Sequence, residues 1–263
     1  MWAFLKKKNK KLPRLSIVLI AYDMQREVPR TLFSLGRSYQ QQTDNLDYEI
    51  IVIDNGSPTP LTLTDMGCIG VPVRHYVLGN ASVSPASAIN HAVSLSESDY
   101  VCIMIDGARM VSPGVIRGIF NSVLLAEEPV IAIPGLHLGP AHQKQSVKAG
   151  YSKNVEDKLL ESIDWKADGY RLFQIASWGG SCQFGWFGPM AESNCITVRR
   201  EFYSALQGYD EAFCLPGGGL VNLDFYKRAV EAEGTTLIQL LGEGCFHQLH
   251  GGVTTGSQEG LTF

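Results

Sequence analysis

Residues 16–22 form an unbroken apolar and β-branched run, from Ser16 through Ile17, Val18, Leu19, Ile20 and Ala21 to Tyr22. A run with no polar alternation predicts a strand buried on both faces, as in a parallel sheet. Val28, Leu32, Leu35 and Tyr39 then recur at helical spacing, with Pro29 at an early helical position, so 28–39 predicts a helix. Residues 48–54 repeat the buried-strand pattern and stop at the turn cluster Asn55, Gly56, Ser57 and Pro58. Further along, 73–78 predicts a strand and 85–95 a helix capped by Ser84. A buried strand at 100–105 ends in Asp106, and a helix at 113–126 leads to a strand at 130–134. The series alternates β and α, which predicts an α/β architecture with a central, mostly parallel sheet flanked by helices.

After residue 135 the alternation lapses. Residues 137–166 are polar and partly helical, and 178–189 mix aromatics with glycines. Helical spacing returns at 199–206 and 222–233, and 237–241 and 245–250 read as short strands. The chain therefore divides into a basic tail at 1–13 and one domain at 14–263. Its half at 14–135 is a regular scaffold, and its half at 136–263 carries a site.

Composition narrows this picture. With 45% hydrophobic and 18% charged residues the chain is an ordinary globular protein. A net charge of −4 leaves no broad basic face for a phosphate backbone, so nucleic acid is not expected as a partner. The basic run Lys6, Lys7, Lys8, Lys10 and Lys11 reads as a solvated tail, with peripheral contact to anionic lipid as the alternative. No apolar run approaches the roughly 20 residues of a membrane span, and the start lacks the order of a signal peptide, so a cytoplasmic location is expected. The six cysteines form no CxxC pair and read as reduced, structural thiols.

In open α/β sheets ligands sit beyond the carboxyl ends of strands, where Tyr22, Asp54 and Asp106 fall. The run at 16–22, the segment 49–57 ending in Asp54, Asn55, Gly56 and Ser57, and the segment 99–106 ending in Asp106 together resemble family 2 glycosyltransferases. That family has the GT-A fold, a Rossmann-like nucleotide-binding fold. Gly208, Tyr209, Asp210 and Glu211 resemble a later signature of the same family. The resemblance implies a transferase moving a sugar from a nucleotide-diphosphate donor, a UDP-sugar before a GDP-sugar, to a glycan, lipid-linked or small-molecule acceptor. It implies that Ala21 and Tyr22 line the base pocket and that Asp54 accepts from the base. Many relatives carry a second acid where Asn55 stands, which leaves open which position reads the base. Asn90 falls where the family has an Arg-Asn pair near the nucleotide, with Ile89 replacing the arginine; capping or ligand contact are both open to it.

Asp106, Gly107, Ala108 and Arg109 stand in place of the family's Asp-x-Asp motif, whose acids bind ribose and a Mn²⁺ or Mg²⁺ ion. Only the first acid is retained, and Arg109 either faces the diphosphate or pairs with an acid. His247 and His250 resemble the late histidine segment that supplies a third metal ligand in some GT-A enzymes. Asp106 plus an imidazole suits Mn²⁺. A continuous strand over 245–250 would put the two rings on opposite faces, so one histidine is expected at the site.

Trp178, Trp186 and Phe187 offer flat apolar faces for an acceptor sugar, or alternatively anchor an irregular loop. Near the family's Gly-Gly-Glu-Asp segment, Asn222 occupies the position of the usual catalytic base and cannot act as one. Asp224 is the first replacement considered and Glu192 the second, for an inverting transfer; a retaining enzyme would need neither. The competing reading is a catalytically reduced GT-A module that binds nucleotide sugar without turning it over.

Overall fold

The computed structural model describes residues 12–63 and 69–251. The basic run at 6–11 and Cys68 lie outside them. Strand β1 (Leu15–Ala21) pairs in parallel with β2 (Tyr48–Asp54), in register from Leu15 opposite Tyr48 to Ala21 opposite Asp54. Every residue of both strands is buried. The continuous apolar run has its cause here. Ile17, Leu19, Ile50 and Val52 face one core, with Val28 and Leu32 of helix α1 (Glu27–Leu35). Val18, Ile20, Ile51 and Ile53 face a second, with Ile89 and Ala92 of α2 (Ala86–Ser94). Period-two alternation persists, but both faces are apolar because both are covered.

Strand β3 (Val73–Val77) extends the sheet beyond β2, and β4 (Tyr100–Met104) joins the other edge of β1. The chain then forms β5 (Arg109–Val111), α3 (Val115–Ser122), β6 (Glu128–Ala132), β7 (Gly135–Leu138), α4 (Gln143–Lys148) and α5 (Lys153–Ser162). It continues with β8 (Ala176–Trp178), β9 (Cys195–Arg199), α6 (Arg200–Ala205), α7 (Val221–Glu231), β10 (Thr235–Gln239) and β11 (Cys245–His247). Seven strands make the main sheet, in the order β10-β6-β9-β4-β1-β2-β3. Only β9 runs against its neighbours β4 and β6. The expected central, mostly parallel sheet flanked by helices is present.

A second sheet of four strands, β5-β11-β7-β8, was not foreseen. Its strands span only three or four residues, too few to display a period. The sheet has one apolar face, where Met110, Phe246, Leu136, Leu138, Ala176 and Trp178 pack in a third core with Leu160, Trp165 and Leu172. Gly107 lets the chain turn from the main sheet towards it, since a Cβ there would stand 2.8 Å from Val28 Cγ2. No helix among the described residues is long and apolar enough to cross a membrane.

Candidate functional site

The carboxyl ends of β1, β2 and β4 bring Tyr22, Asp54, Asn55 and Asp106 to one edge of the main sheet. Ala21 is buried and its carbonyl accepts from Asn55 N at 2.8 Å, while Tyr22 leaves 53% of its surface exposed. Asp54 points into its own turn. Its carboxylate is fully buried and accepts from Ser57 N at 2.8 Å and from Leu61 N at 2.6 Å, so it holds the turn. Asn55 donates from Nδ2 to Ser82 O at 2.8 Å, and its Oδ1 is buried without a partner. The acceptor left free at this strand end is therefore Asn55. Asn90 is spent inside the protein. Its Nδ2 donates to Tyr209 O and Glu211 Oε1, and its Oδ1 accepts from Tyr203 OH and Tyr209 N, tying α2 to the loop after α6.

Asp106, His247 and His250 converge, with their ligand atoms all within 4.8 Å of one another. His247 Nε2 lies 3.0 Å from His250 Nε2 and 3.6 Å from Asp106 Oδ2. The expectation that one ring would face away fails because β11 stops at His247. The next residues are pulled round instead. Gln248 donates to Glu27 O and Thr31 Oγ1, and Leu249 N donates to Glu156 Oε2 at 2.7 Å. Arg26 reaches Leu249 O as well as Glu27, Glu156 and Asp157, so a buried charge cluster between α1 and α5 fixes the backbone that carries His250.

Arg109 donates from Nε to Asp106 Oδ2 at 2.8 Å, the ion-pair alternative of the two it had. Burial pushes the Asp106 carboxyl up, but the charge of Arg109, the two histidines and the Arg109 hydrogen bond hold it well below the usual carboxylate range. Burial, reinforced by Arg109, pushes His247 well below its ordinary value, and burial does the same to His250. An ionised carboxylate beside two neutral imidazoles is the protonation state a divalent cation requires of its ligands. Ligand atoms about 3 Å apart match adjacent positions around an ion with bonds of about 2.1 Å. The residues fit such a cation, and two imidazoles favour Mn²⁺ over Mg²⁺.

At the start of α7, Asn222 is 6% exposed and donates from Nδ2 to Glu192 Oε2 at 2.9 Å, Ser193 O and Asn194 Oδ1; its Oδ1 accepts from Tyr209 OH at 3.0 Å. Ser181 OH donates to the other Glu192 oxygen at 2.7 Å. Two donors thus hold the Glu192 carboxylate, and its charge reaches Arg109. Asp224 is turned elsewhere. Helix α7 begins at Val221, so a two-residue step rotates Asp224 by about 200° from Asn222. It pairs with Arg228 at 2.7 Å, and Arg228 in turn donates to Leu206 O and Gly208 O.

Trp178 and Trp186 pack edge to face at 5.2 Å, and Trp186 Nε1 donates to Glu243 O, so these rings anchor their loop. Phe187 is 90% exposed and alone of the three presents its whole face outward.

Two histidines escaped the sequence reading. His137 on β7 lies in register with His247 on β11, their rings 5.5 Å apart, and His142 stands 4.7 Å from His137. Burial and the charge of Arg109 push His137 down to about 3. The available signal was a polar residue between Leu136 and Leu138, the alternation of a strand with one buried face.

Residues 16–107 match the model of the family described as Glycosyl transferase family 2. No curated protein matches the chain by sequence. Among solved structures, S. aureus TarS 1-349 superposes with a TM-score of 0.56 at 12% identity, over 89% of this chain and 60% of that one. The same protein in complex with UDP gives 0.56 at 12% identity, over 90% and 61%. Its complex with UDP-GlcNAc gives 0.55 at 11%, over 90% and 59%. The chain thus spans about 60% of the length of these structures. Sheet order, strand-end acids and these likenesses agree: the chain has the GT-A fold, and its residues 16–107 are similar to family 2 glycosyltransferases.

Proposed function

We propose that the protein transfers a sugar from a UDP-sugar to an acceptor hydroxyl. The observation that carries this reading is the convergence of Asp106, His247 and His250 at the carboxyl edge of a sheet whose first half matches the family. The fold's likeness to structures in complex with UDP and UDP-GlcNAc supports uridine over guanosine. In this reading Tyr22 stacks on the base, and Asn55 Oδ1, buried and unpartnered, accepts from its imide N–H. Asp106, His247 and His250 hold a divalent cation, Mn²⁺ before Mg²⁺. When bound, that cation neutralises the diphosphate and stabilises it as a leaving group.

Glu192 replaces the missing base. The hydrogen bonds from Asn222 and Ser181 orient its carboxylate for taking a proton from the acceptor hydroxyl. A carbohydrate or lipid-linked acceptor, met at the cytoplasmic face of a membrane, is consistent with the exposed rings of Phe184 and Phe187. The test is UDP release from a panel of UDP-sugars and acceptors with MnCl₂, with wild type beside Glu192→Gln. Turnover should fall about 10²- to 10⁴-fold in the variant with UDP affinity unchanged. Equal turnover with retained anomeric configuration would reject Glu192 as base; UDP binding without turnover in wild type would favour the binding module.

A further inference from the structure

β11 ends at His247, so His250 lies beyond the last strand and is not placed by it. Three tethers place it instead. Gln248 N donates to Ala108 O at 2.8 Å, which holds the segment against the turn that carries Asp106. The Gln248 side chain reaches α1, donating to Glu27 O at 3.1 Å and to Thr31 Oγ1 at 3.3 Å. Leu249, the immediate neighbour of His250, has both backbone polar groups bonded to side chains. Its N–H donates to Glu156 Oε2 at 2.7 Å, and its carbonyl accepts from Arg26 Nη1 at 3.1 Å.

Glu156 of α5 is fully buried and uses both oxygens. Oε1 accepts from Arg26 Nη2 at 3.0 Å, while Oε2 accepts from Tyr151 OH at 3.2 Å as well as from Leu249 N. Desolvation offsets most of what a buried ion pair gains, so such a group is weak as a source of stability; fixing a registry is its best-attested use. The registry fixed here is that of residue 249 against α5.

We propose that Glu156 is the positioning residue for His250, holding its ring towards Asp106 and His247 before a divalent cation binds. This rests on the cation reading above. A histidine on a loose segment would have to give up its backbone freedom on binding, and that loss would weaken the site. Partners one step behind a metal ligand change metal affinity by about 10- to 100-fold when removed. The role needs a carboxylate. An amide at 156 has one accepting and one donating end, so it would turn an N–H towards either Arg26 or Leu249 N, and both of those are donors.

The test compares the Kd of UDP in MnCl₂ with that in EDTA, by calorimetry, and follows amide hydrogen exchange at Leu249 in the metal-free chain. In Glu156→Gln the gain in UDP affinity from Mn²⁺ should fall about tenfold, and Leu249 should exchange faster. Added to His250→Ala, the same change should alter UDP affinity by less than about twofold, because the ring it places is gone. Gln248→Met cuts the tether to α1 and should move both readouts in the same direction. It carries the test if Glu156→Gln does not fold. A role in stability alone would leave the gain from Mn²⁺ intact in the folded protein. A gain within about twofold of wild type in the folded variant, or a full further loss on top of His250→Ala, would overturn the assignment. If Mn²⁺ gives wild type no gain in UDP affinity, the cation reading fails and this one with it, whatever the exchange at Leu249 shows.

Discussion

The exchange of the usual acid for Asn222 can be tested by putting the acid back. In Asn222→Asp an oxygen takes the place of Nδ2, which now lies 2.9 Å from Glu192 Oε2. Two carboxylates that close, at an effective dielectric of about 20, repel by roughly 6 kcal/mol. Rotation of the two side chains should relieve about half. The remaining ~3 kcal/mol opposes double ionisation of the pair, so the folded variant keeps a proton over a pH range in which the unfolded chain has released it. Its stability relative to wild type must therefore fall as pH rises through the carboxylate range and stay flat beyond. Urea denaturation of variant and wild type should show a deficit of about 3 kcal/mol at pH 8 and a clearly smaller one at pH 4.5. Turnover of the variant should also need a more alkaline pH, because Glu192 must lose the shared proton before it can act. A deficit of the same size at both pH values, or none at either, would refute the idea that Asn222 holds the Glu192 carboxylate.

Because both rings face Asp106, His247→Ala and His250→Ala should each lower the Mn²⁺-dependent affinity for UDP about tenfold or more in calorimetry; full affinity in either would make that histidine structural. Asp224→Asn should leave turnover within about twofold and cost about 1 kcal/mol or less in urea unfolding, since its partner Arg228 is a partly exposed ion pair at helical spacing. A large loss of turnover in that variant would restore Asp224 as the base. His137 is depressed to about 3, so its contribution to stability is complete above about 6.5 and is lost as pH falls towards 3. At pH 5 the loss is about 2 kcal/mol relative to pH 8, and in His137→Asn the drop of the unfolding free energy between pH 8 and pH 5 should be smaller by about that amount.

The scaffold was legible because its strands are long and doubly covered. β2 was read to the residue and β1 to within one residue at each end, since runs of seven buried residues leave no ambiguity. The small sheet was not legible, because three residues cannot show a period and both partners of its β11 strand are more than a hundred residues away in sequence, as Arg109 is from His247. β9 was missed for another reason. Its run Cys195 to Val198 reads as buried, but it leads directly into the helical spacing of α6, and its antiparallel place between β4 and β6 has no local signature.

The site divides along the same line. Asp106, His247 and His250 were chosen by residue type, and the structure brings all three together. The direction of the second histidine was wrong because a strand was extended through residues held elsewhere, the Gln248 side-chain amide by Glu27 and Thr31 and the Leu249 backbone N–H by Glu156. Asp54 and Asn55 show why identity alone misleads. The resemblance pointed to Asp54 and left Asn55 open; in the structure the buried Asp54 carboxylate accepts two backbone amides of its turn, and the neutral neighbour has the unpartnered oxygen. Asn222 and Glu192 complete the pattern. Asn222 cannot act as a base, but it supplies a donor at 2.9 Å that an ionised acid there could not offer to Glu192. An amide at 222 is therefore coherent with an acid at 192, where a second carboxylate would instead repel it.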